Sequence, residues 1–272
     1  MKNISRKADK ILSKIPHLIK RVLLIFLLVY FGFGIVLFIF QTRYIYYPDK
    51  TDFQNCPYFS GADKISFGSG RGYLIKRSQE KIVVIYHGNA GRACDRDYLD
   101  SSFAEQNYST FFVEYSGYGE KENNPSMPKL LKNVDDTIDF LKTQNFKDIV
   151  VVWESVGVGP AAYHASRSDI NKLILITAYN NLASVAFSHY PVYPMRLLLF
   201  NNFTPDTWLA HYKGEISIIL AENDEVIPNK LGQKLYEDIL SDLKKIYIVR
   251  NAGHNTIYEK EEFYTSLETA LK

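Results

Sequence analysis

"VVVWESVGVGP", residues 150 to 160, is a β-branched, apolar run that breaks into glycines at a serine. Val150 to Trp153 have the side chains of a buried strand, and Gly157, Gly159 and Pro160 then open a segment with helical spacing that runs to Arg167. A strand passing directly into a helix is the repeating unit of a parallel sheet covered by helices. Ser155 stands at the corner. A nucleophilic serine on such a turn is normally written G-x-S-x-G, and here Trp153 occupies the place of the first glycine.

Working outward, the same alternation recurs along the chain. Strands are predicted at "KISFGSGRGYLIKR" (64 to 77, a hairpin), "KIVVIYHG" (81 to 88), "STFFVEY" (109 to 115), "DIVVVW" (148 to 153), "KLILIT" (172 to 177), "EISIILAE" (215 to 222) and "KKIYIV" (244 to 249). Several are apolar on both faces, as buried parallel strands are. Helical spacing falls between them, at Pro128 to Gln144, Gly157 to Arg167, Pro228 to Leu240 and Glu259 to Leu271. The fold class is therefore α/β, a mostly parallel central sheet flanked by helices. One stretch breaks the rhythm. Between Thr177 and Glu215, an insertion of about residues 178 to 214 is rich in proline and aromatic side chains ("SHYPVYPMRLLLFNNFTPDTW"), which reads as a lid or as irregular helices closing the sheet edge.

If Ser155 is a nucleophile, this architecture demands a later acid, a still later histidine, and two backbone N–H groups for an oxyanion. Asp224 follows a strand in "ISIILAENDEVIP", with Glu222 and Glu225 as alternatives. Of the six histidines only His254, in "VRNAGHNTIY", lies beyond Asp224. "YHGNAG", 86 to 91, sits where an oxyanion loop belongs, so the N–H of Asn89 is paired with that of Val156, the residue after Ser155. His87 in that loop reads as structural. Each element occupies the end of its own strand, in the order Ser155, Asp224, His254.

With these motifs the chain resembles the membrane-anchored α/β-hydrolases of the Bem46-like group, on "HGNAG", "GYG", "SVGVGPAA", "ENDEVIP" and "AGHN", over roughly residues 60 to 270. The resemblance implies an α/β-hydrolase fold, a Ser155–Asp224–His254 triad, Asn89 and Val156 as oxyanion donors, and acyl-ester or thioester hydrolysis on lipid-like substrates, without a cofactor or metal. Trp153, Glu154, Glu114 and Ser116 depart from the group's usual glycine, basic residue, aspartate and arginine. The rival from another class is a hydrolase scaffold kept for binding or assembly, in which Ser155 is unreactive. A dinucleotide fingerprint is also imitated by Gly157, Gly159 and Ala162, but the next strand ends in Thr177, Ala178, Tyr179 with no acid for a ribose.

The N-terminal part is of a different kind. Val22 to Phe40 is an uncharged run of about 28 Å as a helix, which suits a transmembrane anchor over residues 22 to 41 rather than a cleaved signal. Residues 1 to 21 have seven cations against Asp9, a net of +6, so the positive-inside rule assigns them to the cytoplasm and residues 42 to 272 to the far side. The bilayer, through residues 22 to 40, and an acyl-chain substrate are the expected partners. With a whole-chain charge of +2, the remaining residues are at about −4, which leaves no footprint for nucleic acid. On the far side of a membrane Cys56 and Cys94 could form one disulfide, but 38 positions of sequence do not show whether they meet, and two free thiols are the default.

Overall fold

The computed structural model describes residues 16 to 272. Lys2, Arg6, Lys7, Asp9, Lys10 and Lys14 of the basic arm lie outside the described residues. The chain divides into two units, Met1–Gln41 and Thr42–Lys272. The first is one helix, α1 (His17–Ile45), which continues past the unit boundary and extends the expected apolar span by several residues at both ends. By its length and its apolar composition it is sufficient to cross a membrane.

The second unit is built on eight strands: β1 (Asp63–Phe67), β2 (Gly70–Ile75), β3 (Lys81–Tyr86), β4 (Ser109–Glu114), β5 (Asp148–Glu154), β6 (Lys172–Ile176), β7 (Glu215–Ala221) and β8 (Lys244–Val249). They form one sheet in the order β1-β2-β4-β3-β5-β6-β7-β8. Only β2 runs against the rest, because it pairs antiparallel with both β1 and β4. The other neighbours are parallel, as expected for strands whose crossovers are helical.

The strand period of two sends alternate residues into two separate cores. Ile82, Val84 and Tyr86 of β3 join Val151 and Trp153 of β5 under α2 (Met127–Lys142) and α3 (Val158–Arg167), through Leu130, Val134, Val158 and Ala162. Val83 and Ile85 join Val150 and Val152 on the opposite face, under α4 (Glu261–Leu271), through Phe263 and Leu267. The 178 to 214 insertion contains three short helices, Leu182–His189, Met195–Leu198 and Pro205–Trp208. The last of these closes against α3, where Trp208 meets Tyr163 edge-on at 5.5 Å.

One segment has no counterpart in the expected elements. After the "YHGNAG" loop the chain forms a 3-10 helix, Ala93–Leu99, and a short α-helix, Asp100–Ala104. Here the reading of two free thiols fails: Cys56 and Cys94 form a disulfide, with their Cα atoms 5.7 Å apart. Sequence distance says nothing about spatial distance once a sheet intervenes, and β1, β2 and β3 all lie inside the loop that the bridge closes.

In the chain-entropy picture, a bridge across a separation of 38 residues stabilises the fold by about 4 kcal/mol. Urea unfolding with and without reductant is expected to show a loss of that order. A second expectation concerns acid. The Tyr86 hydroxyl lies 2.7 Å from His164 Nδ1, and burial lowers the imidazole from 6.5 to about 3. The folded state refuses a proton that the unfolded chain accepts, so stability falls as pH drops from 6.5 toward 3. His164→Gln should flatten the slope in that window by up to about 1.4 kcal/mol per pH unit, measured by unfolding across a pH series.

Candidate active site

β5 ends at Glu154, and Ser155 follows it with a positive φ of 55°. A non-glycine residue in this region is strained unless its surroundings hold it there. They do: the Ser155 N–H donates to Thr177 Oγ1 at 3.2 Å, and Ser155–Gly157 forms one 3-10 turn that runs straight into α3. The turn lifts the serine hydroxyl off the sheet end.

Two later loops meet it. Ser155 Oγ lies 2.9 Å from His254 Nε2. On the other side of the ring, His254 Nδ1 lies 2.8 and 3.0 Å from the two oxygens of Asp224. Asp224 is itself held, since its Oδ1 accepts the N–H groups of Val226 and Ile227 at 3.0 and 2.7 Å. The two alternative acids serve the histidine loop instead. Glu225 accepts the His254 N–H at 3.0 Å, and Glu222 accepts the Asn251 N–H at 2.9 Å. Ser155, His254 and Asp224 thus form one hydrogen-bonded chain, with the His254 side chain nearly buried and that of Asp224 almost wholly so.

The loop with Asn89 borders this chain. A cavity of about 210 Å³ beside Ser155 and His254 is walled by Asn89, Arg96, Tyr98 and Glu154. Val156 is positioned by the turn itself, its carbonyl accepting the Tyr179 hydroxyl at 2.9 Å. The peptide joining Gly88 to Asn89 is held through its carbonyl, which His87 Nδ1 approaches at 2.9 Å. Because C=O and N–H point in opposite directions across a trans peptide, fixing Gly88 O also aims the Asn89 N–H. His87 Nε2 in turn meets Glu114 Oε1 at 3.1 Å, both side chains being buried, so His87 holds the loop.

Glu154 is the second buried carboxylate that holds this loop. Its Oε1 accepts the Gly88 N–H at 2.8 Å and Arg96 Nε at 2.6 Å, and its Oε2 accepts the Tyr98 hydroxyl at 3.1 Å. Burial favours the neutral acid, but the Arg96 charge and the Gly88 N–H outweigh it and lower the carboxyl to about 2. A side chain at Gly88 would place its Cβ 2.9 Å from that oxygen. Arg96 and Tyr98 both come from the 3-10 helix that the periodicity does not reveal; the only sequence signal for them is the three alternating charges in "CDRDY" after a glycine loop.

Comparison with solved structures decides what scaffold this is. The esterase Pf2001 of Pyrococcus furiosus superposes with a TM-score of 0.67, covering 83% of this chain and 98% of that one at 16% identity. The chain has the α/β-hydrolase fold. No protein-family model matches it. Among curated proteins, the putative α/β-hydrolase L404 of Acanthamoeba polyphaga mimivirus is 25% identical over 190 residues, 66% of this chain and 69% of that one. The lysophosphatidylserine lipase ABHD12 of Bos taurus is 28% identical over 180 residues, 58% of this chain and 45% of the lipase.

Within the α/β-hydrolase fold the tryptophan at the elbow has a specific accommodation. Trp153 is fully buried, stacked on Tyr86 with ring centroids 4.6 Å apart. Its indole occupies the space a side chain at Gly157 would need: a Cβ there would fall 1.3 Å from Trp153 Nε1. Gly157 has an ordinary helical φ of −58°, so the glycine is required for volume and not for backbone conformation. The turn is intact because the second glycine of the elbow makes room for the residue that replaces the first. Gly157→Ala is expected to destabilise the protein by about 3 kcal/mol through overpacking, and most of that cost should vanish in a Trp153→Ala background. A double-mutant cycle by chemical denaturation measures the coupling.

Proposed function

We propose that this protein is a membrane-anchored serine hydrolase that cleaves acyl esters of lipid-like substrates. The observation that supports this reading best is the unbroken chain Ser155 Oγ, His254 Nε2, Asp224, set on a strained turn beside a cavity. His254 Nε2 takes the hydroxyl proton as Ser155 Oγ attacks the ester carbonyl, and Asp224 stabilises the imidazolium that results. The tetrahedral oxyanion is received by the N–H groups of Asn89 and Val156. His254 then returns the proton to the departing alcohol, leaving an acyl-enzyme. Water, deprotonated by the same imidazole, attacks that ester, and collapse releases the acid and restores Ser155.

Lipid-like esters are favoured by the apolar α1, which tethers the domain where such molecules reside, and by the likeness to a lysophosphatidylserine lipase. A basic arm ahead of α1 supports an N-terminus in the cytoplasm and a catalytic domain on the opposite side. The disulfide supports the same placement, because such bridges persist in oxidising compartments.

The test is labelling of the full-length protein in detergent with a fluorophosphonate probe. Wild type should label, Ser155→Ala should not, and His254→Ala and Asp224→Asn should slow the reaction by about 10³-fold or more. A folded wild type that stays unlabelled would return the scaffold to a binding or assembly role.

A further inference from the structure

Apart from α1, the exposed large apolar side chains concentrate on one short segment of the insertion. Phe187, Val192, Leu197 and Phe200 are 51%, 69%, 82% and 56% exposed. Single apolar residues on a surface need no explanation, whereas a cluster of this kind marks a contact surface. Two neighbouring features indicate what it contacts.

The first is where the segment lies in the chain's path. Tyr46, the residue immediately after α1, is buried, and its hydroxyl makes a long hydrogen bond of 3.5 Å to Asn201 Oδ1. Asn201 also accepts the Met127 N–H at 2.9 Å, which fixes it to the body of the domain. The insertion is thereby pinned beside the residue at which the chain leaves its apolar helix. If α1 spans a bilayer over residues 22 to 41, Tyr46 follows about 7 Å further along the helix at roughly 1.5 Å per residue, a distance comparable with the headgroup layer, which is about 5 to 7 Å deep.

The second is a groove of about 810 Å³ on the same face, lined by Phe187, Pro191, Met195 and Leu231 and bordered by Arg196 and Lys230. Apolar walls with a cationic margin match the cross-section of a lipid monolayer, where acyl chains lie beneath anionic headgroups. The face is also linked to the site: His189 Nε2, at the end of Leu182–His189, meets the carbonyl of Val226 at 2.8 Å, two residues from Asp224.

We propose that residues 187 to 200 form an interfacial docking surface, with Phe187 and Leu197 seated among the acyl chains of the bilayer that α1 crosses. The groove then opens toward lipid, and an acyl chain enters it without passing through water. This rests on α1 as a membrane anchor and not on the chemistry of Ser155.

The full-length protein is reconstituted into vesicles of phosphatidylcholine with a minority of phosphatidylglycerol, after labelling with an environment-sensitive nitrobenzoxadiazole at Leu197→Cys, Phe187→Cys or Leu240→Cys. The native cysteines are paired and do not compete for the label. Leu240 is 72% exposed and lies outside the insertion, so it reports bulk water. Flotation on a density gradient reads anchoring, and quenching reads depth. The expected result is co-flotation of all three, with blue-shifted emission quenched by lipid-borne nitroxide at 197 and 187, and iodide quenching at 240. Co-flotation with positions 197 and 187 as open to iodide as 240 would overturn the docking surface while leaving the anchor standing. Failure to float would remove the anchor and the docking surface together, with the hydrolase reading untouched.

Discussion

The carboxylate of Glu154 is the interaction on which the site's architecture depends. It is the last residue of the central strand, it is buried, and it is charged, a combination tolerated only when its oxygens are fully engaged. Arg96, Tyr98 and the Gly88 N–H meet that demand from two different segments. One ion therefore draws the glycine loop and the 3-10 helix onto the end of β5. Glu114 does the same from β4, through His87 and the Ala93 N–H. Two acids, on the strands either side of β3, thus hold the loop that faces Ser155.

Trp153 belongs to the same logic of exchange. An elbow needs empty space on the inner side of its turn, but it does not matter which residue gives up its side chain. Here the strand residue is large and the helix residue is absent as a side chain, so the indole fills the gap between β5 and α3 and stacks on Tyr86. The local motif is altered while the packing density of the region is preserved.

Much of this was legible in the residues alone. The strands and the helices Met127–Lys142, Val158–Arg167, Asn229–Asp238 and Glu261–Leu271 were readable because each has a strong period, and the order Ser155, Asp224, His254 was readable because chain order narrows the histidines to one. Asp224 was the preferred acid and is the one that meets His254, but sequence kept Glu222 and Glu225 as alternatives, since three carboxylates in one loop differ only in direction. The 3-10 helix with Arg96 and Tyr98 was not readable, because a single turn shows no periodicity and its partners lie on β5, far away in sequence. The pairing of Cys56 with Cys94 depends on how the segment ahead of the first hairpin meets the 3-10 helix that follows β3, which no local pattern encodes.

The disulfide also bears on the order in which this protein can be assembled. Both cysteines precede β4 and β5, the two strands that flank β3 in the finished sheet. As a nascent chain emerges from its amino end, the covalent ring can close once residue 94 is accessible to an oxidant, before either neighbour of β3 has emerged to pair with it. β3 would then wait inside a preformed loop, with part of its configurational freedom already removed, for partners that arrive later. Biogenesis of this domain would accordingly be sensitive to the rate of thiol oxidation relative to chain emergence, a kinetic dependence that is invisible in the equilibrium fold.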